Sequence, residues 1–292
     1  MTERLSYSQL SGWTGCGERY RLERIVRVPQ VPAWNLIGGS AAHEVTEQHD
    51  LSRLGVALTK RNETFEEAFE RLTVDAEEES GIDRSGFRAS GRASKQWPDK
   101  ENADWWLENG PAMVRRWDNF IEMCPWDIWI TPDEKPAIEL GFNLPLLPDD
   151  NGNNRVEVRG FIDRVFVDHR TGELIVVDLK TGASKQPTPR QLGVYRVGLR
   201  DRYGVDARLG TFWDARSGTT SEVHALTEYT PERIAWQFGT LAKARLDGVY
   251  LPNPGPLCGS CSVNQYCFEY TPDATARVRP PWVSADEWEL TA

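Results

Sequence analysis

Three residues in the middle of the chain carry the clearest chemistry: Asp163, Asp178 and Lys180. Residues 174–177 are continuously apolar, as in a strand buried on both faces, and that run ends in Asp178-Leu179-Lys180. Side chains alternate along a strand, so Asp178 and Lys180 share one face while Leu179 turns to the core. Asp163 lies one strand earlier, within reach across a hairpin. Two carboxylates a few ångströms apart raise each other's pKa unless a cation sits between them. A divalent metal meets that need. It would also polarise a phosphodiester oxygen and activate a water, with Lys180 placed to position the water and oppose charge on phosphorus. Asp-x-Lys alone is equally the pattern of a salt bridge at a strand end.

Neighbouring residues extend the constellation. Val156, Val158 and Ile162 are apolar on even positions, whereas Val165 and Val167 are apolar on odd ones. That slip of parity predicts a bulge that re-aims Asp163. Gln191 and Tyr195 lie four apart on the following helix, so they share a face and can hydrogen-bond a phosphate or a water. His43 follows Gly39 as Gly-x-x-x-His, and a neutral imidazole beside carboxylates suits manganese as well as magnesium. A lone histidine is more often a core or surface residue, and His49, His169 and His224 are read that way.

The elements that must position these groups follow from periodicity. Helices are predicted over 8–13 with Ser8 as N-cap, over 40–54 with Ser40 as cap after a Gly38-Gly39 turn, and over 63–79. A tryptophan-rich helix contains Trp105, Trp106 and Trp117. Strands are predicted over 138–144, 155–167, 174–178 and 209–214, with turns at Asn151-Gly152 and Arg170-Thr171-Gly172. Thr188 and Pro189 open a helix reaching Tyr203, and 231–246 forms another. This order suits an α/β domain with a small mixed sheet flanked by helices.

The 292 residues carry a formal charge of −10, which argues against binding nucleic acid through the whole surface. Between Arg155 and Arg208, however, eleven basic residues face seven acidic ones, a local net of +4. Arg84, Arg88, Arg92 and Lys95 lie in a Gly/Ser-rich loop over 80–104, which could close over a DNA strand or be a plain solvated insertion. Of the twelve tryptophans, those at helical spacing are expected in the core. No apolar run is long enough to span a bilayer and no signal peptide is visible, so a cytoplasmic location is expected. A Gly-x-x-x-x-Gly-Lys-Ser/Thr nucleotide loop is absent, so any motor must be borrowed.

Each motif alone is common. Gly-x-x-x-His43, Gly160-x-x-Asp163, Asp178-x-Lys180 and Gln191-x-x-x-Tyr195 in this order, over residues 39–195, resemble the RecB-type branch of the PD-(D/E)XK nucleases. The resemblance implies a restriction-endonuclease-like core. In it His43, Asp163, Asp178 and the Leu179 carbonyl would hold Mg²⁺ or Mn²⁺, Lys180 would act on the water, and Gln191 and Tyr195 would support the site. Arg88, Arg92 and Lys95 are the candidate DNA contacts.

Five cysteines without a secretory signal point to metal or redox chemistry rather than disulfides. Cys258-x-x-Cys261 and Cys267 form a C-terminal triplet in a loop, and Cys16 is the best fourth ligand. Cys124 reads as a buried spare. The context Tyr7-Ser-Gln-Leu10-x-x-Trp13-x-x-Cys16-x-x-x-Tyr20 with the distant triplet is similar to the iron–sulfur nucleases related to AddB and to CRISPR-associated adaptation exonucleases. Gly17 stands where those proteins commonly have proline. The resemblance implies a structural [4Fe–4S] cluster on Cys16, Cys258, Cys261 and Cys267, joining the N- and C-termini; the same four ligands also suit zinc.

The expected organisation is one nuclease domain over 1–292: N-terminal helices to 60, a helical insertion over 61–135, a catalytic core over 136–215, and a C-terminal helix with the cysteine loop. The expected activity is that of a metal-dependent exonuclease on single-stranded DNA or DNA ends, alone or beside a helicase or a recombination or CRISPR-adaptation partner; some such nucleases are phage-encoded. A non-catalytic DNA-binding adaptor is the alternative. Protein purified without oxygen should be brown with broad visible absorbance. A colourless preparation with stoichiometric zinc would overturn the cluster assignment.

Overall fold

The computed structural model describes residues 3–57, 62–91, 93–148, 154–182, 188–271 and 278. The expected Asn151-Gly152 turn and Arg92 lie outside the described residues. Eight strands form one mixed sheet: β1 (Glu3–Leu5), β2 (Trp126–Ile128), β3 (Ile138–Pro148), β4 (Asn154–Asp168), β5 (Leu174–Lys180), β6 (Leu209–Asp214), β7 (Thr219–Thr220) and β8 (His224–Ala225). The helices are α1 (Tyr7–Gly15), α2 (Gly17–Tyr20) running into a π-helical turn (Arg21–Val26), α3 (Trp34–Arg53), α4 (Phe65–Ser80), α5 (Ala103–Met123), α6 (Arg190–Tyr203) and α7 (Pro231–Leu246).

The apolar run of β5 is buried on both faces, as its composition requires, because a helical layer covers each side. Leu10, Leu192, Val197, Ile234 and Phe238 of α1, α6 and α7 pack on one face against Val158, Ile162 and Val176. Ile37, Phe69, Trp106 and Trp117 of α3, α4 and α5 pack on the other against Phe166, Val177 and Trp213. Trp106 and Trp117 are thus core residues, as expected. Among the described residues no helix is long and apolar enough to cross a membrane.

Strand β4 organises the sheet. β3 pairs antiparallel along one edge as far as Arg164, and β2 follows on the same edge. The opposite edge therefore takes both β1, parallel at Val156 to Val158, and β5, antiparallel at Arg164 to Val167. Between those two partners, residues 159–163 of β4 face an opening. The turn expected at Arg170-Thr171-Gly172 is present, with Gly172 at φ +72° donating to the Asp168 carbonyl at 2.6 Å.

Several predicted boundaries move. Ser6, not Ser8, caps α1, its hydroxyl accepting from the Gln9 amide. Pro189 caps α6 where Thr188 was expected. More consequentially, Gly38 and Gly39 do not form a turn; they lie inside α3, which starts at Trp34. Two glycines cost a helix about 1 kcal/mol each, and packing explains their presence. A Cβ on Gly38 would lie 2.2 Å from the Trp106 ring, and one on Gly39 3.0 Å from Thr181 Oγ1. Gly38→Ala should therefore destabilise the protein by about 1–3 kcal/mol through overpacking. Denaturant midpoints of variant and wild type check this; equal midpoints would refute the packing account.

Candidate active site

The site forms where two strands part. The β4–β5 ladder ends at Arg164 opposite Val177, so the next residues along that register are Asp163 and Asp178. On the other edge of β4, Ile138 pairs with Arg164 and Leu140 with Ile162, which sets Glu139 opposite Asp163. Three carboxylates thus stand side by side across three strands. Like charges in such positions repel. The parity slip seen in the sequence is real, since Ile162 and Val165 face the same core. No register shift accompanies it, contrary to the expected bulge. Instead β3 slips in step with β4, and Glu139 sits at φ +43°, a conformation that costs energy for a residue with a side chain.

Backbone and buried charge hold the carboxylates in place. Asp163 Oδ2 accepts from the Leu179 amide at 2.7 Å, replacing a ladder bond where β5 has turned away. A strand residue's N–H and C=O point to the same edge, so the Leu179 carbonyl looks into this gap as well. Arg164 is fully buried: Nε donates to Asp50 Oδ2 at 2.7 Å, and Nη1 donates to the Asp163 carbonyl at 2.6 Å and to Glu139 Oε1 at 3.5 Å. Asp50, buried on α3, also accepts from Trp117 Nε1 at 2.9 Å and pairs with Arg53.

His43 approaches from α3. Its Nδ1 lies 3.7 Å from Asp163 Oδ2 and 3.8 Å from Glu139 Oε1. These gaps are too long for hydrogen bonds and short enough for the three groups to close on one ion. Potential ligand atoms of His43, Glu139 and Asp163 all lie within 4.8 Å of one another. On the opposite side, Lys180 Nζ is 2.5 Å from Asp178 Oδ2, and it donates to Gln191 Oε1 at 3.0 Å. Close as it is, that ion pair leaves no hydrogen-bond donor aligned on the buried Asp178 Oδ2. Gln191 Nε2 donates to the Tyr195 hydroxyl at 2.7 Å, and that hydroxyl lies 3.5 Å from Asp178 Oδ1.

The electrostatics express an excess of negative charge. Burial and the Asp178 charge push the Asp163 pKa up to about 7, although His43 and the Leu179 amide act against this. Burial disfavours the charged forms of His43 and Lys180, yet the carboxylates override it and raise both pKa values. Burial and the charges of Asp178 and Asp163 hold the Tyr195 phenol well above its ordinary value, so it stays a neutral donor. Glu139 is the exception: burial acts to raise its pKa, but His43 and Arg164 bring it below the usual range. The donor set, carboxylate oxygens with one imidazole, fits a divalent cation.

The sequence motifs Asp163, Asp178, Lys180, Gln191, Tyr195 and His43 border one site, but of the expected ligands only His43 and Asp163, joined by Glu139, fall in the close group, while Asp178 lies outside it against Lys180 and Tyr195. Glu139, Arg164 and Asp50 were missed. A signal existed for Glu139, the one charged residue between Ala137 and Pro148, flanked by Ile138 and Leu140. The loop cations behave differently. Arg88 is not free to project: Nη1 donates to the Ser260 carbonyl at 2.7 Å and Nε to the Val31 carbonyl at 3.1 Å. Arg84 pairs with Glu70 and Glu77, while Lys95 is exposed. His49 bonds Asp118 and His169 bonds Asp127, away from the carboxylate row.

Cys16 lies where the α1–α2 junction meets residues 251–253, and Cys258, Cys261 and Cys267 follow in the same C-terminal segment. Gly17 N donates to the Leu251 carbonyl at 2.9 Å, and a Cβ there would strike that backbone at 2.6 Å, which explains glycine beside Cys16. Asn253 N donates to Cys16 Sγ at 3.4 Å and Gly255 N to Cys258 Sγ at 3.2 Å. Cys261 and Cys267 pack on Leu22, Val28 and Val263. Burial raises the Cys267 pKa, with nearby Glu18 and Cys16 adding to it. All five cysteines are free thiols of intermediate burial, Cys124 among them. Among the described residues no three sulfurs lie within 4.8 Å of one another.

Comparison with known proteins agrees with this geometry. Residues 4–268 match the PD-(D/E)XK nuclease superfamily, and the chain belongs to it. It is similar to the Gene 69 protein of Mycobacterium phage D29, 30% identical over 284 residues, and to the Gene 69 protein of Mycobacterium phage L5, 32% identical over 302 residues. Each alignment covers 90% of this chain and 95% of the relative.

Metal binding should be pH-dependent with a definite sign. Above pH 7 the Asp163 carboxylate is free; below it a metal must displace a proton, so Mn²⁺ affinity should fall as pH drops through about 7. Glu139→Gln, which keeps shape and removes charge, should weaken Mn²⁺ roughly tenfold or more, about 1.4 kcal/mol. Calorimetric titrations at pH 6 and pH 8 (about one unit either side) test both. Unchanged affinity in the variant would remove Glu139 from the ligand set.

Proposed function

We propose that this superfamily member is a divalent-metal-dependent deoxyribonuclease that acts as an exonuclease on single-stranded DNA or DNA ends. Asp163, Asp178, Lys180, Gln191 and Tyr195 form its catalytic group. His43, Asp163, Asp178 and the Leu179 carbonyl hold Mg²⁺ or Mn²⁺, and Glu139 joins them. One observation carries the reading: three carboxylates side by side at a strand divergence, with more negative charge than Lys180 neutralises. A bound divalent ion would supply positive charge against the phosphodiester and make a water more acidic.

The protein's own groups have distinct tasks. Lys180, held between Asp178 and Gln191, keeps its proton and can orient a water while opposing charge that develops on phosphorus. The Gln191–Tyr195 pair fixes Lys180 from α6 and leaves the phenol proton available near Asp178. Arg164 steadies Glu139 and the Asp163 backbone without reaching solvent. Of the loop cations expected to meet DNA, exposed Lys95 stays in the proposal alongside Arg92; Arg88 contributes by anchoring the cysteine loop to the N-terminal region.

We read Cys16, Cys258, Cys261 and Cys267 as ligands of a structural [4Fe–4S] cluster, in a nuclease of the RecB-type iron–sulfur branch. Amides aimed at two of the sulfurs and the approach of residues 251–253 to the α1–α2 junction support this. Residues 1–292 then form one nuclease domain, since β1 enters the same sheet as β4 and α7 packs on the same core. Such an enzyme suits recombination, repair or preparation of DNA ends beside a helicase or other partner.

Labelled single- and double-stranded DNA incubated with Mg²⁺ or Mn²⁺ provides the test. Wild type should shorten the strands progressively, and Asp178→Ala and Lys180→Ala should each slow cutting by roughly 10²–10³-fold or more. Wild type without activity on any DNA under either metal would overturn the reading in favour of a non-catalytic adaptor.

A further inference from the structure

Beyond the carboxylate row, a polar cavity of about 430 Å³ opens beside β1, lined by Arg4, Arg24, Arg27 and Arg245, with Glu23 its one acidic lining residue. Glu23 is already held by Arg19 at 2.8 Å and by Ser262. Arg245 pairs with Glu3 at 2.7 Å and Arg4 with Glu157 at 3.4 Å. Among the described residues, exposed Arg24 and Arg27 make no ion pair. Their backbone is unusual as well. Arg24 lies in the π-helical turn, and Arg27 ends that turn at φ +59°. A left-handed arginine is strained where glycine would not be, and both irregularities concentrate at functional sites.

The cavity connects to the carboxylates along one face of β4. Leu5, Val156 and Val158 point into the core, so Arg4 and its neighbour Glu157 point the other way, and alternation puts Arg159 and Phe161 on that same face. Among the described residues no helix covers this part of the sheet: Arg159 is exposed, as are Asn143 and Pro145 on β3. Phe161 is 65% exposed, two residues from Asp163, opposite Gly141, whose missing side chain leaves room for the ring to lie across β3. From Glu157 to Asp163 is six residues, roughly 20 Å of strand, or about six nucleotides of a single strand that keeps the stacked spacing of about 3.4 Å each.

We propose that the arginine cavity grips phosphates of a DNA strand about six nucleotides from the cut, and that Arg159 and Phe161 carry the strand across the open face of β4, Phe161 stacking on a base. Arginine suits phosphate because its planar fork binds two oxygens at once, and an exposed phenyl beside it suits an unpaired base. A duplex would keep its bases from Phe161, so the track selects single strands. This inference rests on the nuclease reading and adds a distal anchor and a strand preference to it.

Fluorescence anisotropy with 5′-labelled oligothymidine in Ca²⁺, over a range of salt, tests the track. Arg24→Ala/Arg27→Ala should bind a strand of about 20 nucleotides roughly tenfold more weakly, and the slope of log K against log salt should fall by about 1.4, two single-strand contacts. The wild-type advantage of that strand over one of about 4 nucleotides, too short to span the track, should disappear in the variant. Phe161→Ala should weaken binding with little change in slope, and Phe161→Tyr should restore it. Thermal melts establish that the variants are folded. Unchanged affinity and slope in the double variant, with wild type still binding and cutting DNA, would overturn the track alone; wild type that neither binds nor cuts would overturn the nuclease reading with it. Equal loss on short and long strands would also count against a distal anchor.

Discussion

Everything in this protein is arranged around a repulsion. Glu139, Asp163 and Asp178 occupy neighbouring positions on three strands, in a partly buried setting where water screens them poorly. Such a row is stable only when cations border it. Lys180 stands against Asp178, Arg164 reaches Glu139 from beneath, and His43 leans in from α3. The charge still unmatched makes the site receptive to a divalent ion, and it also keeps a proton on Asp163 up to about pH 7 when no ion competes.

Bringing the three acids together requires two strands to part without losing their order. β4 releases β5 at Arg164, and the Asp163 carboxylate takes up the Leu179 amide that the sheet would otherwise have satisfied. Both β3 and β4 change facing at this point, so the register stays intact while Asp163 and Glu139 turn into the opening. The same change sets the reach of the helical layers. Beyond it Phe166 meets the α3–α5 layer, whereas before it Arg159 and Phe161 face solvent. An open apron in front of the carboxylates is thus a product of the geometry that aims them.

Support comes from close approaches that tolerate no side chain. Gly38 lets α3 settle on Trp106, which sets the depth of the helix that carries both His43 and Asp50. Gly17 lets the segment around Leu251 lie against the start of α2, with Cys16 beside it. The buried Asp50–Arg164 pair links α3 to β4, so the histidine and the carboxylates are held by one rigid network. A buried charge pair of this kind is better evidence for fixed geometry than for stability, since desolvation offsets much of its attraction.

The sequence by itself determined the order of elements, the buried character of β5 and the chemistry at Asp163, Asp178 and Lys180, because alternation and helical spacing are local properties of the chain. Gln191 and Tyr195 were legible for the same reason, being one helical turn apart. Tertiary structure alone decided the rest. Glu139 became part of the site only through its register opposite Asp163, and no local pattern encodes which residue faces which across strands. Gly38 and Gly39 read locally as a turn, yet Trp106, far along the chain, makes them helical. Arg88 looked like a cation free to meet a ligand until the fold brought the Ser260 carbonyl to it. Asp163, Asp178 and Lys180 could be named from their neighbours in sequence; what surrounds and restrains them is fixed by contacts between residues distant in the chain.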